Sequence, residues 1–281
     1  MNYYLAMAAL IGALLLLYAF MTLWRHWRRR RLWKTLQKSP LPDTMRRSLD
    51  RVPHYRLLPP ELSEEIRPKI LYFLHEKEFR GIGIEITDEI RAVIAFYACL
   101  LVLKIPGECF DLLKTILVYP SEILAKQASE EGGIHREEEA ILEGESSGDT
   151  VVIVWHDARH QALHPGQHNV VLHELAHTLD FEDGVADGVP PLPLSLTRSW
   201  SRVLYHRYSK LREKAEENRN WGNYRLIGEY AATNEAEFFA VCTELFFTRP
   251  RAMRRHFRDL YDEFRAFYGL DTAELFGELE R

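Results

Sequence analysis

Val170-Val171-Leu172-His173-Glu174-Leu175-Ala176-His177-Thr178-Leu179-Asp180 decides how this chain is read. Apolar residues at 170, 171, 172, 175 and 176 predict a buried helix that leaves His173, Glu174 and His177 facing a cleft. Histidines four residues apart share one helical face, where two imidazoles can hold one zinc ion at about 2.0–2.1 Å. Glu174 follows the first histidine and so points beside the metal. There it is placed to take a proton from a bound water, whose pKa zinc lowers toward about 7, and to pass it to a leaving amine.

A catalytic zinc site needs a third protein ligand and an open fourth position. Asp180 lies three residues beyond His177 on the same face, but it is seven from His173, about 10.5 Å along the axis. Carboxylate and imidazole cannot converge on one ion over that span, so Asp180 is expected to orient a ligand imidazole instead. The better candidate lies in Asn234-Glu235-Ala236-Glu237-Phe238-Phe239-Ala240-Val241. There Glu237 sits among Phe and Ala, surroundings that tolerate a carboxylate only if something pairs with it. On residues alone, Glu237 stays open between third ligand and partly exposed helix carboxylate.

Working outward, Tyr3 to Trp24 is an uncharged run of 22 residues, about 33 Å as a helix and enough to cross a hydrocarbon core of about 30 Å. No basic residue precedes it, and Arg25-His26-Trp27-Arg28-Arg29-Arg30-Arg31 follows. That order argues for an anchor over a cleaved signal peptide. Tyr3, Tyr4, Trp24 and Trp27 are placed as interfacial aromatics, and the positive flank predicts a single-pass protein of the inner (cytoplasmic) membrane with its C-terminal part in the cytoplasm. The expected organisation is an anchor at 1–24, a basic juxtamembrane segment and linker at 25–58, and a catalytic domain at 59–281.

Within that domain, helix is expected from Pro60 to Phe79 with a kink at Pro68. A short strand follows from Gly81 to Thr87, then an apolar helix from Glu89 to Leu103 capped by Asp88. Strands are expected at Ile116–Pro120 and Thr150–Trp155, with a loop or hairpin over Gly132–Gly148 between them. Helices then occupy about 169–180, 195–217, 224–231, 234–247 and 250–267. Strands before helices make the fold class α+β. His156, His160, His164 and His168 recur every fourth residue, but Pro165-Gly166 favours a solvated loop over a second metal site.

Of 36 basic residues, seven lie within residues 1–40, leaving 29 against 41 acidic ones in the rest. So acidic a body is a poor partner for nucleic acid, and none is expected. Cys99, Cys109 and Cys242 show no pairing logic, which suits a reducing compartment.

The stretches ITDEIRAVIAFYACLLVL, ILVYPSEI, GQHNVVLHELAHTLDFEDGVADGVPPLP and YAATNEAEFFAVCTELFF, spread over most of residues 60–250, resemble the Mlc titration factor A family of bacterial zinc-dependent peptidases. That resemblance implies a zincin-like metallopeptidase domain whose active site is similar to that of the anthrax lethal factor peptidase domain. It implies Zn2+ as cofactor, a glutamate on a later helix as third ligand and a tyrosine seven residues earlier that assists the reaction. These fall here on Glu237 and Tyr230, whose phenol would donate to the oxyanion of the tetrahedral intermediate. The partner implied is a peptide or protein substrate. The alternative is a regulatory protein that sequesters a transcription regulator and keeps a weak or idle zinc site. The hydrophobic anchor departs from the soluble members of the family. The strand over Thr150–Trp155, ahead of the metal helix, would be an edge to which an extended peptide can add.

Overall fold

The computed structural model describes residues 2–106, 110–121, 149–217 and 221–280. The loop or hairpin expected over Gly132–Gly148, and Cys109, lie outside these residues. The chain divides into two units, residues 1–41 and 42–281. The first is dominated by helix α1 (Asn2–Leu36), long and apolar enough from Leu10 to Leu36 to cross a membrane by length and composition. Arg28 and Arg31 lie over the rings of Trp24 and Trp27 at 4.9 and 4.2 Å, so the basic and aromatic residues after the apolar run pack on one another.

The second unit is mostly helical, with one small parallel sheet. After α2 (Asp43–Leu49) and α3 (Pro53–Arg56) come α4 (Pro60–Glu76), β1 (Glu78–Gly81), α5 (Asp88–Leu101), β2 (Thr115–Tyr119) and β3 (Thr150–Val154). The strands lie in the order β1-β2-β3, with Glu78 opposite Thr115 and Thr115 opposite Thr150. The helices α6 (Trp155–Leu163), α7 (Val170–Asp180), α8 (Leu194–Glu217), α9 (Glu235–Thr248), α10 (Pro250–His256), α11 (Arg258–Tyr268) and α12 (Thr272–Phe276) complete it.

Two helices form the centre because they are apolar almost all round. On α5 every residue from Ala92 to Leu101 is buried, and on α9 every residue from Phe238 to Thr248 except Val241. The helix α7 packs against both and against β3, so the expected metal-bearing helix is held by the core on three sides.

Several local expectations shift by a few residues, each for a visible reason. The strand expected over 81–87 lies at 78–81, because the chain reverses after it. A Cβ on Gly81 would sit 2.0 Å from the carbonyl oxygen of Ile84, so only glycine allows the reversal. Thr87, and not Asp88, caps α5 by accepting from the Ile90 N–H. The Asp88 carboxylate is taken instead by the hydroxyl of Thr44 on α2. The helix expected over 224–231 is two 3-10 turns, Gly222–Leu226 and Tyr230–Ala232, separated by Gly228 at φ +90°. His156 and His160 sit on the helix α6 and not in a loop, with His164 at its end. The sequence 42–58, expected as linker, belongs to the body: Leu49, Val52 and His54 are fully buried.

Candidate metal centre

Asn169 starts α7 by accepting the Leu172 N–H on its side chain at 3.1 Å, an N-cap that fixes where the helical phase begins. With the phase fixed, Val171, Leu172, Leu175, Ala176 and Leu179 turn into the core, while His173, Glu174, His177 and Thr178 remain partly accessible. Asn234 caps α9 in the same way, accepting the Glu237 N–H at 2.8 Å. Glu237 therefore lies in the first turn of α9, where the helix N-terminus favours a carboxylate.

These two caps bring the ligand candidates together. His173 Nε2, His177 Nε2 and Glu237 Oε2 form a triangle with edges of 3.1, 3.2 and 3.4 Å. A tetrahedral zinc ion with bonds of about 2.0–2.1 Å holds its ligand atoms about 3.3–3.4 Å apart, so the triangle fits one face of such a tetrahedron. Glu237 Oε2 is buried and accepts no hydrogen bond of good geometry among the described residues, an expensive arrangement for a carboxylate unless a cation shares it. The donor set, two imidazoles and a carboxylate, is of the kind that holds catalytic zinc with one position open.

Electrostatics support the same grouping. Burial alone would depress His173, but the facing carboxylates of Glu237 and Glu244 outweigh it and hold the imidazole up at about 10. Burial works to raise Glu237, and the two histidines override it, keeping the carboxylate well below its usual range. Glu174 has no such hydrogen-bonded partner, and burial raises its carboxyl despite the two imidazoles nearby.

The strongest contact to a candidate ligand comes from a residue the sequence reading missed. Glu244 Oε1 accepts from His173 Nδ1 at 2.7 Å, which turns the other ring nitrogen toward the triangle. Its second oxygen accepts the backbone N–H of Asn169 at 2.7 Å and lies 3.7 Å from His168 Nδ1. The signal was present, since Glu244 follows Glu237 by seven residues and shares its face of α9 two turns on.

Asp180, expected to orient an imidazole, is engaged elsewhere. Its Oδ2 accepts the Gly188 N–H at 2.9 Å, and its buried Oδ1 makes no hydrogen bond among the described residues. Burial pushes its carboxyl up to about 7. Gly188 in turn accepts from the Trp200 indole at 3.2 Å. Its φ is +75°, and a Cβ there would stand 2.6 Å from the carbonyl oxygen of Glu235. Tyr230 stands at the rim, its ring centroid 6.2 Å from that of His173 and the residue 61% exposed. Partial burial, then the charge of Glu237, raises its phenol to about 12, so it keeps its proton near neutrality. Among the other histidines, His160 and His164 face each other at 4.9 Å between ring centroids, but among the described residues only His173, His177 and Glu237 come together as a metal-binding group.

Comparison with known proteins shows the family. The chain is 35% identical over 259 residues to an uncharacterized protein of Synechocystis, covering 88% of this chain and 90% of that one. It is 29% identical over 252 residues to Mlc titration factor A of Serratia proteamaculans, covering 85% and 92%, and 31% identical over 210 residues to that of Klebsiella pneumoniae, covering 71% and 76%. The profile of the glucose-regulated metallo-peptidase M90 family matches residues 24–269. This chain therefore belongs to the glucose-regulated metallo-peptidase M90 family, together with the Mlc titration factor A proteins.

Proposed function

We propose that this metallopeptidase is a membrane-anchored, zinc-dependent peptidase of zincin-like fold in which His173, His177 and Glu237 hold the ion and Glu174 is the general base. The observation that carries the reading is the triangle of three ligand atoms 3.1–3.4 Å apart on two capped helices. A zinc ion held there supplies Lewis acidity and lowers the pKa of a water molecule toward about 7.

The chain's own groups do the rest. Glu174 lies next to His173 and its carboxyl is raised by burial, which suits a base that must take a proton from water and release it to the departing amine. Tyr230 keeps its phenolic proton and donates it as a hydrogen bond to the oxyanion of the substrate carbonyl. Glu244 orients His173 and shares its charge. Among the described residues β3 pairs with β2 alone, and its other edge offers main-chain groups to an extended peptide.

The ligand imidazoles must be neutral to bind a metal, while Glu237 and Glu244 hold a proton on His173 in its absence. Metal and proton therefore compete, and affinity falls as the medium is acidified. A second reading, a regulatory binding protein that sequesters a transcription regulator, rests on the name of the Serratia and Klebsiella relatives.

The test is metal content and peptide cleavage of the detergent-solubilised full chain. It should carry close to one zinc per chain and cleave members of a peptide library. Glu237→Ala should lower zinc affinity by about an order of magnitude or more; normal retention would require another third ligand. For the anchor, the run of arginines after an uncharged helix supports a cytoplasmic catalytic domain. A reporter active only in the cytoplasm and fused after Arg281 should work, and a silent one would reverse the topology.

A further inference from the structure

A second cluster of charge lies on the other side of Gln167 and His168 from the candidate metal centre. A cavity of about 630 Å³ is lined by Arg225, Arg249, Arg251 and Arg255, with Gln167 and Glu280 among the remaining walls. Arg225 comes from the 3-10 turn Gly222–Leu226, Arg249 from the junction of α9 and α10, and Arg251 and Arg255 from α10. Four guanidinium groups around one concavity are unusual in a body where acidic residues outnumber basic ones.

The arginines of this region fall into two sets. Those outside the cavity are matched: Arg207 makes a two-pronged pair with Asp259, Arg254 meets Glu274 at 2.8 Å, and Arg265 meets Asp271 at 3.3 Å. The guanidinium groups of the four that line the cavity make no ion pair among the described residues. The single carboxylate in the wall, Glu280, is already committed, since it accepts the backbone N–H groups of Arg251 and Ala252 at the start of α10. Arg249 adds an independent sign: its Nε is buried and has no hydrogen-bond partner among the described residues. A buried N–H of a charged group is costly without an acceptor. Among the described residues all four line one space and none of their guanidinium groups is matched by a carboxylate.

We propose that this cavity binds a small phosphorylated molecule, its phosphate held by Arg249 and by the exposed guanidinium groups of Arg225 and Arg255. Planar guanidinium groups match phosphate oxygens in pairs, and the volume lies in the range of small-molecule sites. The cavity wall is continuous with the candidate metal centre. The side chain of Gln167 donates to the Leu226 carbonyl at 3.2 Å, its own carbonyl accepts from Thr248 at 3.0 Å, and its neighbour His168 faces Glu244. Leu226 lies four residues before Tyr230. An occupant thus bears on the segments that carry both Tyr230 and the partner of His173.

The test is calorimetric titration of the full chain in detergent with inorganic phosphate, ribose 5-phosphate and ribose. Saturable binding of ribose 5-phosphate at one site per chain is expected, with phosphate weaker and ribose silent. Arg225 and Arg255 are exposed, so R225Q and R255Q should fold normally, each lowering affinity tenfold or more. R254Q, which alters a matched arginine outside the cavity, should leave binding unchanged. Absence of saturable binding, or binding that persists in the R225Q/R255Q double variant, overturns the proposal; the second result would move the phosphate to another part of the molecule, the candidate metal centre included.

Discussion

Two buried histidines in the same body behave in opposite ways. His54 is fully buried; its Nε2 donates to the Phe247 carbonyl and its Nδ1 accepts from the Tyr97 hydroxyl, each at 3.2 Å. With only neutral partners, burial pushes its pKa down to about 4. His173 is nearly as enclosed, with a side chain 12% exposed, yet it is held at about 10. Desolvation acts on both in the same direction. What differs is that Glu237 and Glu244 face His173 and no carboxylate faces His54. A histidine that keeps a packed core satisfied is therefore told from one prepared for a cation by its partners and not by its depth.

The sharpest way to break this contrast is to remove the proposed base beside His173. Glu174→Gln should retain zinc and lose hydrolysis by roughly 100- to 10,000-fold, the scale of general acid–base catalysis. Metal analysis and turnover on the same preparation check it, and full activity would remove Glu174 as the general base.

A smaller effect is expected from the carboxylate that distinguishes the two histidines. Glu244→Gln keeps the shape but removes the charge facing His173 Nδ1, and should weaken zinc binding by about 10- to 100-fold. Competition with a chromogenic chelator measures it. An unchanged affinity would mean that Glu244 serves the Asn169 cap and not the imidazole.

The least effect falls on His54, and it concerns stability. Unfolded, this residue takes up a proton below its ordinary 6.5; folded, it resists to about 4. Its contribution is present above 6.5 and is lost as pH falls toward 4, worth roughly 3 kcal/mol over that window. His54→Gln should be less stable than the parent at pH 7, with the gap narrowing by about that amount at pH 4. Urea unfolding at both pH values checks this, and a constant gap would show that His54 takes up its proton equally in the folded and unfolded states.

The helix of His173 and His177, the later helix of Glu237 and the strands β2 and β3 were legible in the sequence, because each depends on local periodicity. The pairing of Glu244 with His173 was not, although the spacing from Glu237 was there to be seen. A carboxylate in an apolar run announces that it needs a partner without naming it. Residues 42–58 looked like linker because Pro40, Pro42 and Pro53 break helix. Their burial rests on contacts such as Tyr97 with His54, 43 residues apart, which no local pattern encodes. The same distance hides the arginine cavity, whose walls come from residues 225 and 249–255. Asp180 was read as orienting a ligand imidazole and not as the acceptor for Gly188, since a turn partner eight residues on leaves no periodic mark.

Gly188 acts in effect as a shim of zero thickness between the end of α7 and the start of α9. Its amide is fixed on Asp180, its carbonyl on Trp200, and its missing side chain is what allows the Glu235 carbonyl to come close. One added methyl group, as in Gly188→Ala, would have to wedge that carbonyl outward, and Glu237 rides on the same turn two residues later. The gauge of the ligand triangle is thus set by an atom that is not in it. Such a variant should alter the preference among zinc, cobalt and manganese before it abolishes binding, a change that metal competition on the full chain would register while the three ligands remain untouched.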